Sequence, residues 1–375
     1  MAAVGNVLIV GGGIAGMTLA VALRRAGIAC EVVEINPQWT VVGVGIALGG
    51  PALRALRVLG VLDRCVAKGF GYSHFDHCDA NGNITGRVEM PRLNGPDYPA
   101  TIGIMRQELH TVLQDAMTQA DVPIRLGVTV DSLEPDDAGV AVAFNDGTHG
   151  RYDLVVGADG ANSTVRELVA GTQWRPKYTG QAVWRATVSR PASVDARNSY
   201  QGPRHKAGFN PVSQTQMYIY FVQNLPEWVR LADSTLASTL RELLSDFGGV
   251  LAKARDEIVD AEAIAYRPIA SLIMPAPWHR GRIVLIGDAV HTTTPHMAAG
   301  AGIAVEDSVV LAELLAAGQS APAVLEAFMT RRYERCRLVV QNSFQLGEWE
   351  KTPNAPGADP IPVEQQTIRM LAQPF

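Results

Sequence analysis

The stretch Val7-Leu8-Ile9-Val10-Gly11-Gly12-Gly13-Ile14-Ala15-Gly16 decides the fold. Residues 6–10 form a short apolar run of strand type, and in residues 14–25 Met17, Ala20, Val21 and Arg24 recur at helical spacing. Gly27 ends that helix, and Ala29 to Glu34 reads as the next strand. The spacing Gly11-x-Gly13-x-x-Gly16 therefore sits between a strand and a helix, the context in which it marks a dinucleotide site. Gly11 permits the tight turn, Gly13 lets a pyrophosphate approach the backbone, and Gly16 lets helix and strand pack closely. The pyrophosphate would rest on the helix N-terminus through Gly13, Ile14 and Ala15. Glu34 closes the second strand, where a carboxylate accepts hydrogen bonds from the adenosine ribose hydroxyls. That disfavours a 2′-phosphate, and so NADP, at this position.

The bulk of the chain narrows the function classes. At 375 residues there is room for two domains, and 47% hydrophobic content supplies their cores. A net charge of −5 with no cluster of Lys and Arg argues against nucleic-acid binding. The four cysteines are scattered without Cys-x-x-Cys spacing, so reduced thiols in a cytoplasmic protein are expected, not a disulfide framework or zinc site. No His and carboxylate set has ligand spacing, and no metal is expected. With no basic leader and no run of about 18 apolar residues, neither a secretion signal nor a membrane partner is expected.

Further along, Pro51 to Leu59 reads as a helix, and Tyr72 to Glu89 as turn-punctuated strands with Asn81-Gly82 as a hairpin signal. Gln107 to Ala120 is helical; 128–133, 140–144 and 152–157 are strands. Residues 180–224 again read as β, 234–247 as helix, 283–286 as a buried strand, and 303–317 and 321–344 as long helices. The fold class is α/β. Nucleotide-type segments at 1–70, 101–170 and 280–345 interleave with β-rich insertions at 71–100 and 171–279. Residues 346–375, with Pro353, Pro356, Pro360, Pro362 and Pro374, read as a surface arm.

Five segments recur in order: the glycine fingerprint, Val42-Gly43-Val44-Gly45-Ile46, Met105-Arg106-Gln107-Glu108-Leu109, Gly157-Ala158-Asp159-Gly160 through Arg166, and Gly287-Asp288-Ala289-Val290-His291. Together they make residues 5 to 345 resemble the single-component flavoprotein aromatic hydroxylases of the para-hydroxybenzoate hydroxylase fold. The likeness is greatest to the compact branch containing salicylate, 6-hydroxynicotinate and urate hydroxylases. The resemblance implies a Rossmann-like FAD-binding domain of glutathione-reductase type, interleaved with a β-sheet substrate domain.

It also implies roles for residues. Gly45 and Ile46 would border the cofactor, Arg106 would hold its phosphate and ribose region, Val130 would touch the adenine, and Asp159 would serve FAD packing and nicotinamide access. Asp288 would accept hydrogen bonds from the ribityl chain and Pro295 would pack beside the isoalloxazine. Gly300, Ala301 and Gly302 open a helix whose N-terminus would stabilise negative charge on the reduced ring. Glu306-Asp307 reads as an acidic first turn. Two departures from the family pattern stand out. The basic residue after the strand-ending acid is missing, and Ala298-Ala299-Gly300 replaces Gly-Gln-Gly, removing a side-chain amide.

The same resemblance implies that NADH or NADPH reduces FAD, that dioxygen adds to form a flavin C4a-hydroperoxide, and that a small aromatic or N-heteroaromatic substrate attacks its distal oxygen. The absence of a second glycine fingerprint agrees with transient nicotinamide binding in a surface cleft. Lys206, Phe209, Tyr218 and Tyr220 match the sheet that roofs the flavin, with Pro295 opposite. Tyr218 and His296 are the candidate catalytic groups, His296 as a base on a phenol. A homodimer is compatible with this reading. Three alternatives stay open: an FAD-dependent dehydrogenase or oxidase without oxygen insertion, a flavin halogenase, and a non-catalytic FAD scaffold. No Trp-x-Trp-x-Ile-Pro segment, the halogenase mark, is present.

Overall fold

The computed structural model describes residues 4–41, 43–202, 205–352 and 355–375. Val42 of the segment quoted above and Pro353 of the C-terminal stretch lie outside these. Among the described residues the largest parallel sheet has six strands, in the order His279–Arg280, Ile283–Leu285, Leu154–Gly157, Asn6–Val10, Ala29–Glu34, Ile124–Leu126. Every pairing is parallel except the edge pair His279–Arg280 with Ile283–Leu285. Parallel strands need crossovers, and helix Ile14–Arg25 supplies the first. Val7, Leu8 and Ile9 are fully buried, as a sheet covered on both faces requires.

The glycine turn has the tightness its spacing predicts. Gly11 takes φ +110°, and a Cβ on Gly16 would stand 1.8 Å from the Gly11 carbonyl oxygen. That closeness seats helix Ile14–Arg25 on the strand and against a second helix, Gly300–Ala316. Thr18 Oγ1 donates to Ser308 Oγ at 3.0 Å, and Ser308 Oγ to the Ala15 carbonyl at 2.9 Å.

A second, mostly antiparallel sheet has seven strands, in the order Ile264–Ser271, Lys177–Ser189, Gln216–Asn224, Lys206–Pro211, Arg197–Gln201, His74–Cys78, Ile84–Glu89. Strand alternation divides its side chains. Arg185 pairs across from Tyr220, which faces Gly208, while Asn210 faces Tyr218, all on one side. Trp184, Ile219, Phe221, Ala207 and Phe209 fall on the other, buried with residues of helices Asp233–Leu243 and Gly249–Asp256.

The structure departs from the sequence reading toward the C-terminus. The helix starting at Ala321 does not stop at Phe344 but runs to Lys351. Gly347 lets it pass close to His296, where a Cβ would lie 2.7 Å from His296 Cε1. Residues 346–375 are also not merely a surface arm: Pro360–Ala372 is a helix with Thr367 and Leu371 buried. Pro360 and Pro362 fall in its first turn, where a missing N–H costs nothing. Val363, Thr367 and Leu371 recur four apart, the spacing of one helix face. Asn342 Nδ2 donates to Thr367 Oγ1 at 2.8 Å, tying this helix to the long one.

Candidate functional site

A cavity of about 780 Å³ lies between the glycine turn and the polar face of the seven-stranded sheet, a size within the range of cofactor and small-molecule sites. Gly12 to Ala15, Glu34, Gly45, Ile46, Arg106 and Asp288 border it at the nucleotide end. Glu34 is fixed there: its Oε2 accepts the Gly12 N–H and its Oε1 the Asn36 N–H, each at 2.7 Å. Trp39 Nε1 donates to the Gly12 carbonyl at 2.8 Å, and Trp39 itself takes a left-handed φ of +46°.

Two helices aim uncapped N-termini at this space. Neither Ile14–Arg25 nor Gly300–Ala316 has a side-chain cap or an acidic residue in its first turn, so first-turn N–H groups remain for a ligand. Added Cβ atoms meet nothing within 4 Å at Gly13, the opening a pyrophosphate requires. Burial lowers the pKa of the Arg106 guanidinium and raises that of the Asp288 carboxyl. Among the described residues neither side chain has a hydrogen-bond partner. A cation, a carboxyl and two helix N-termini facing one cavity fit a dinucleotide phosphate, a polyol chain and an electron-accepting ring.

Pro295, Gly300 and Ala301 line the cavity beside His296. Ala298 turns the chain with φ +50°, a conformation that favours glycine. The sheet face opposite supplies Arg185, Arg197, Lys206, Asn210, Tyr218 and Tyr220. Tyr72 Oη donates to Asn210 Oδ1 at 2.9 Å, and Asn210 Nδ2 donates to Tyr218 Oη at 2.8 Å. This relay leaves the Tyr218 proton for a ligand. Burial raises the Tyr218 pKa against the pull of Arg185 and Arg197, which keeps it a neutral donor. Arg197 is half-buried, with its Nε enclosed and unpartnered, and no carboxylate lies within ion-pair distance among the described residues.

Lys206 does not face the cavity as a free cation: its Nζ lies 2.6 Å from Glu350 Oε1. Glu350 Oε2 is 3.2 Å from His296 Nε2, and His296 Nδ1 is 2.9 Å from Thr294 Oγ1. Burial alone would raise the Glu350 pKa, but Lys206 and His296 hold it at about 2.

Other anticipated residues stand elsewhere. Phe209 is on the far face of its strand, tilted against Tyr200 in the core, because it lies an odd three positions after Lys206 and alternation reverses the side. Val130 is packed in the nucleotide-domain core opposite Phe144 and does not border the cavity. Asp159 is turned away: its Oδ2 accepts the Val165 N–H at 3.0 Å, while Ala158 and Gly160 line the cavity. Gly11 and Gly16 sit behind the wall and act through packing, and Gly302 does not border this cavity.

Glu306 and Asp307 are not a solvated first turn. Both are buried and bonded to Arg332 (2.9 and 2.7 Å), and Glu306 also to Arg335 (2.8 Å). Asp307 accepts from the Gly287 N–H at 3.0 Å, lies 2.6 Å from His291 Nε2, and accepts from Cys336 Sγ at 3.7 Å. Burial works against charge on His291, yet Cys336 and Asp307 hold its pKa well above the ordinary value. His291, Asp307 and Cys336 converge as metal ligands can. Arg332 and the Gly287 N–H, however, take the remaining lone pairs of Asp307, making this an ion-pair cluster. It anchors the turn that presents Asp288.

Residues 5–343 match the FAD binding domain family, and the chain belongs to that family as an FAD-dependent monooxygenase of the aromatic hydroxylase type. It is 34% identical over 92% of its length to the aurachin C monooxygenase/isomerase of Stigmatella aurantiaca, covering 90% of that protein. To the 2-heptyl-3-hydroxy-4(1H)-quinolone synthase of Pseudomonas aeruginosa it is 30% identical, over 92% of this chain and 90% of the relative. To the FAD-dependent urate hydroxylase of Klebsiella oxytoca it is 29% identical, over 89% and 87%. The solved structure of Klebsiella pneumoniae HpxO with FAD and uric acid shares its fold, with a TM-score of 0.84 and 24% identity over 98% and 92% of the two chains. FAD is the cofactor, as the glycine turn and its partners anticipate. No helix among the described residues is long and apolar enough to cross a membrane.

Proposed function

We propose that the protein uses NADH or NADPH and dioxygen to hydroxylate a small aromatic or N-heteroaromatic substrate. The observation that carries this reading is a single cavity in which donors of the sheet face, Tyr218 and the Arg185 and Arg197 guanidiniums, stand opposite the turn Pro295–Gly300. FAD, when bound, would pass the electrons of NADH or NADPH to dioxygen and so activate it. The chain's own residues hold the substrate ring and move its proton.

Arg197 and Arg185 hold an anionic oxygen of the substrate, phenolate or carboxylate, because a half-buried guanidinium facing a cavity without a carboxylate partner favours an anion. Tyr218 donates to the same end. His296 Nε2, which makes no hydrogen bond of its own, accepts the phenolic proton. Glu350 beside it stabilises the imidazolium, and Thr294 holds the ring through Nδ1. Lys206 keeps Glu350 ionised and so acts on the substrate through Glu350. The names of two relatives above, a quinolone synthase and a urate hydroxylase, support a nitrogen heterocycle.

The test is a panel of aromatic acids and N-heterocycles screened for stimulated NAD(P)H oxidation, with product mass examined. One added oxygen per NAD(P)H and dioxygen consumed is the expected result. Substrate oxidation without oxygen insertion would replace the hydroxylase with a dehydrogenase or oxidase.

A further inference from the structure

A second cavity of about 170 Å³ opens beneath the helix Pro360–Ala372. It shares Ala47, Arg197, Lys206, His296, Ala298 and Ala299 with the first. The two cavities therefore abut at a polar boundary, and that boundary holds the groups assigned above to the substrate ring. Beyond it the walls turn apolar, with Phe75, Met90, Leu93, Met297, Ile368 and Leu371. The first five of these are only half-buried, so apolar surface is left facing the chamber. Of the polar members, Tyr72 is engaged with Asn210 and Thr101 with Met90, while His77, Ser199 and Glu364 complete the lining.

The roof is held in place. Arg54 donates to the carbonyls of Leu371, Ala372 and Gln373, and Arg335 to those of Met370 and Leu371. These are the orphan carbonyls of a helix C-terminus, where cations are also favoured by the helix dipole. Because Arg335 also grips Glu306, the roof is bonded to the helix whose N-terminus faces the flavin site.

We propose that this chamber takes an unbranched aliphatic chain carried by the aromatic substrate, so that the substrate is an alkylated aromatic ring and not a bare one. The proposal rests on the ring site described above. At roughly 30 Å³ per water- or methylene-sized group, the chamber holds about five or six carbons. A ring held at this boundary would lie directly beside the chamber, since the same residues border both spaces.

The experiment measures dissociation constants of the oxidised holoenzyme for 2-alkyl-4-hydroxyquinolines with chains of one, three, five, seven and nine carbons. Binding is read from the perturbation of the flavin's visible absorption, which needs no turnover. Affinity is expected to tighten roughly fourfold per added methylene until the chamber is filled at about five or six carbons, and then to level. Ile368→Trp and Met90→Trp each fill the chamber and should flatten that gradient, with bound-flavin content confirming that each variant folds. If the methyl compound binds but affinity is flat with chain length, or if both variants keep the native gradient, the chain site is overturned and the ring site stands. If no member binds, the methyl compound included, both readings fall together.

Discussion

Lys206 Nζ lies 2.6 Å from Glu350 Oε1, although 144 residues separate them along the chain. The strand Lys206–Pro211 brings one partner and the last turn of the helix Ala321–Lys351 the other. The pair closes the substrate cavity with a charge already neutralised.

Removing that carboxylate as Glu350→Gln strands an ammonium in a largely buried place. Breaking a fully buried pair costs about 3–5 kcal/mol. Here about a fifth of each side chain is exposed, and we expect a loss on the order of 2–3 kcal/mol. The pH dependence has a definite sign. The folded-state pKa of Glu350 is depressed from 4.5 to about 2, so its stabilisation is complete above about pH 4.5 and fades as pH falls toward 2. Thermal melts of native protein and Glu350→Gln should therefore differ most near neutrality and converge in acid. A gap that widens in acid would contradict the pairing.

Gly13 and Gly16 separate binding from folding. A Cβ at Gly13 enters open cavity, while one at Gly16 meets the Gly11 carbonyl oxygen at 1.8 Å. Gly13→Ala should leave the flavin-free protein's melting temperature unchanged and weaken FAD by about 1–3 kcal/mol, roughly 5- to 150-fold. Gly16→Ala should lower the melting temperature of the flavin-free protein itself. Equal effects of the two on folding would remove the distinction.

Tyr218→Phe deletes the one proton that the Tyr72–Asn210–Tyr218 relay leaves for a ligand. The expected cost is about 0.5–1.5 kcal/mol, roughly two- to tenfold in kcat/KM, with flavin content intact. Steady-state kinetics with the substrate identified by the panel would measure it. Unaltered kinetics would place Tyr218 in packing alone.

Arg332→Met leaves Glu306 and Asp307 short of their buried partner. We expect a loss of about 3–5 kcal/mol in urea unfolding, with weaker FAD retention because Asp307 holds the Gly287 N–H beside Asp288. A variant as stable as the native protein would show that the cluster is dispensable.

The nucleotide half was legible because its signals are local. The strands Asn6–Val10 and Ala29–Glu34 and the helix Ile14–Arg25 fall where periodicity and the bounding glycines put them. Tyr218 and Tyr220, two apart, share a face as strand geometry demands. The same parity rule, already readable in the sequence, excludes Phe209 from the face of Lys206. Arg185 and Arg197 carried a weaker sign, a charge at a core-facing position of a strand. Glu350 carried none: its place depends on a helix continuing past Phe344 and on where that helix ends in space. Asp159 and Val130 lie in recognisable segments, but which face of a turn or strand meets a ligand is set by backbone direction, which spacing does not encode.

Neither helix N-terminus facing the large cavity spends a side chain on its own first turn. The flavin-free protein thus keeps two positive poles bordering one cavity, with the Arg106 cation at its nucleotide end adding to them. Cofactor uptake relieves that repulsion, so loading should tighten as ionic strength falls. FAD becomes a structural member of the fold as well as its reagent, adding about 2.7 kcal/mol at a free concentration one hundred times its Kd.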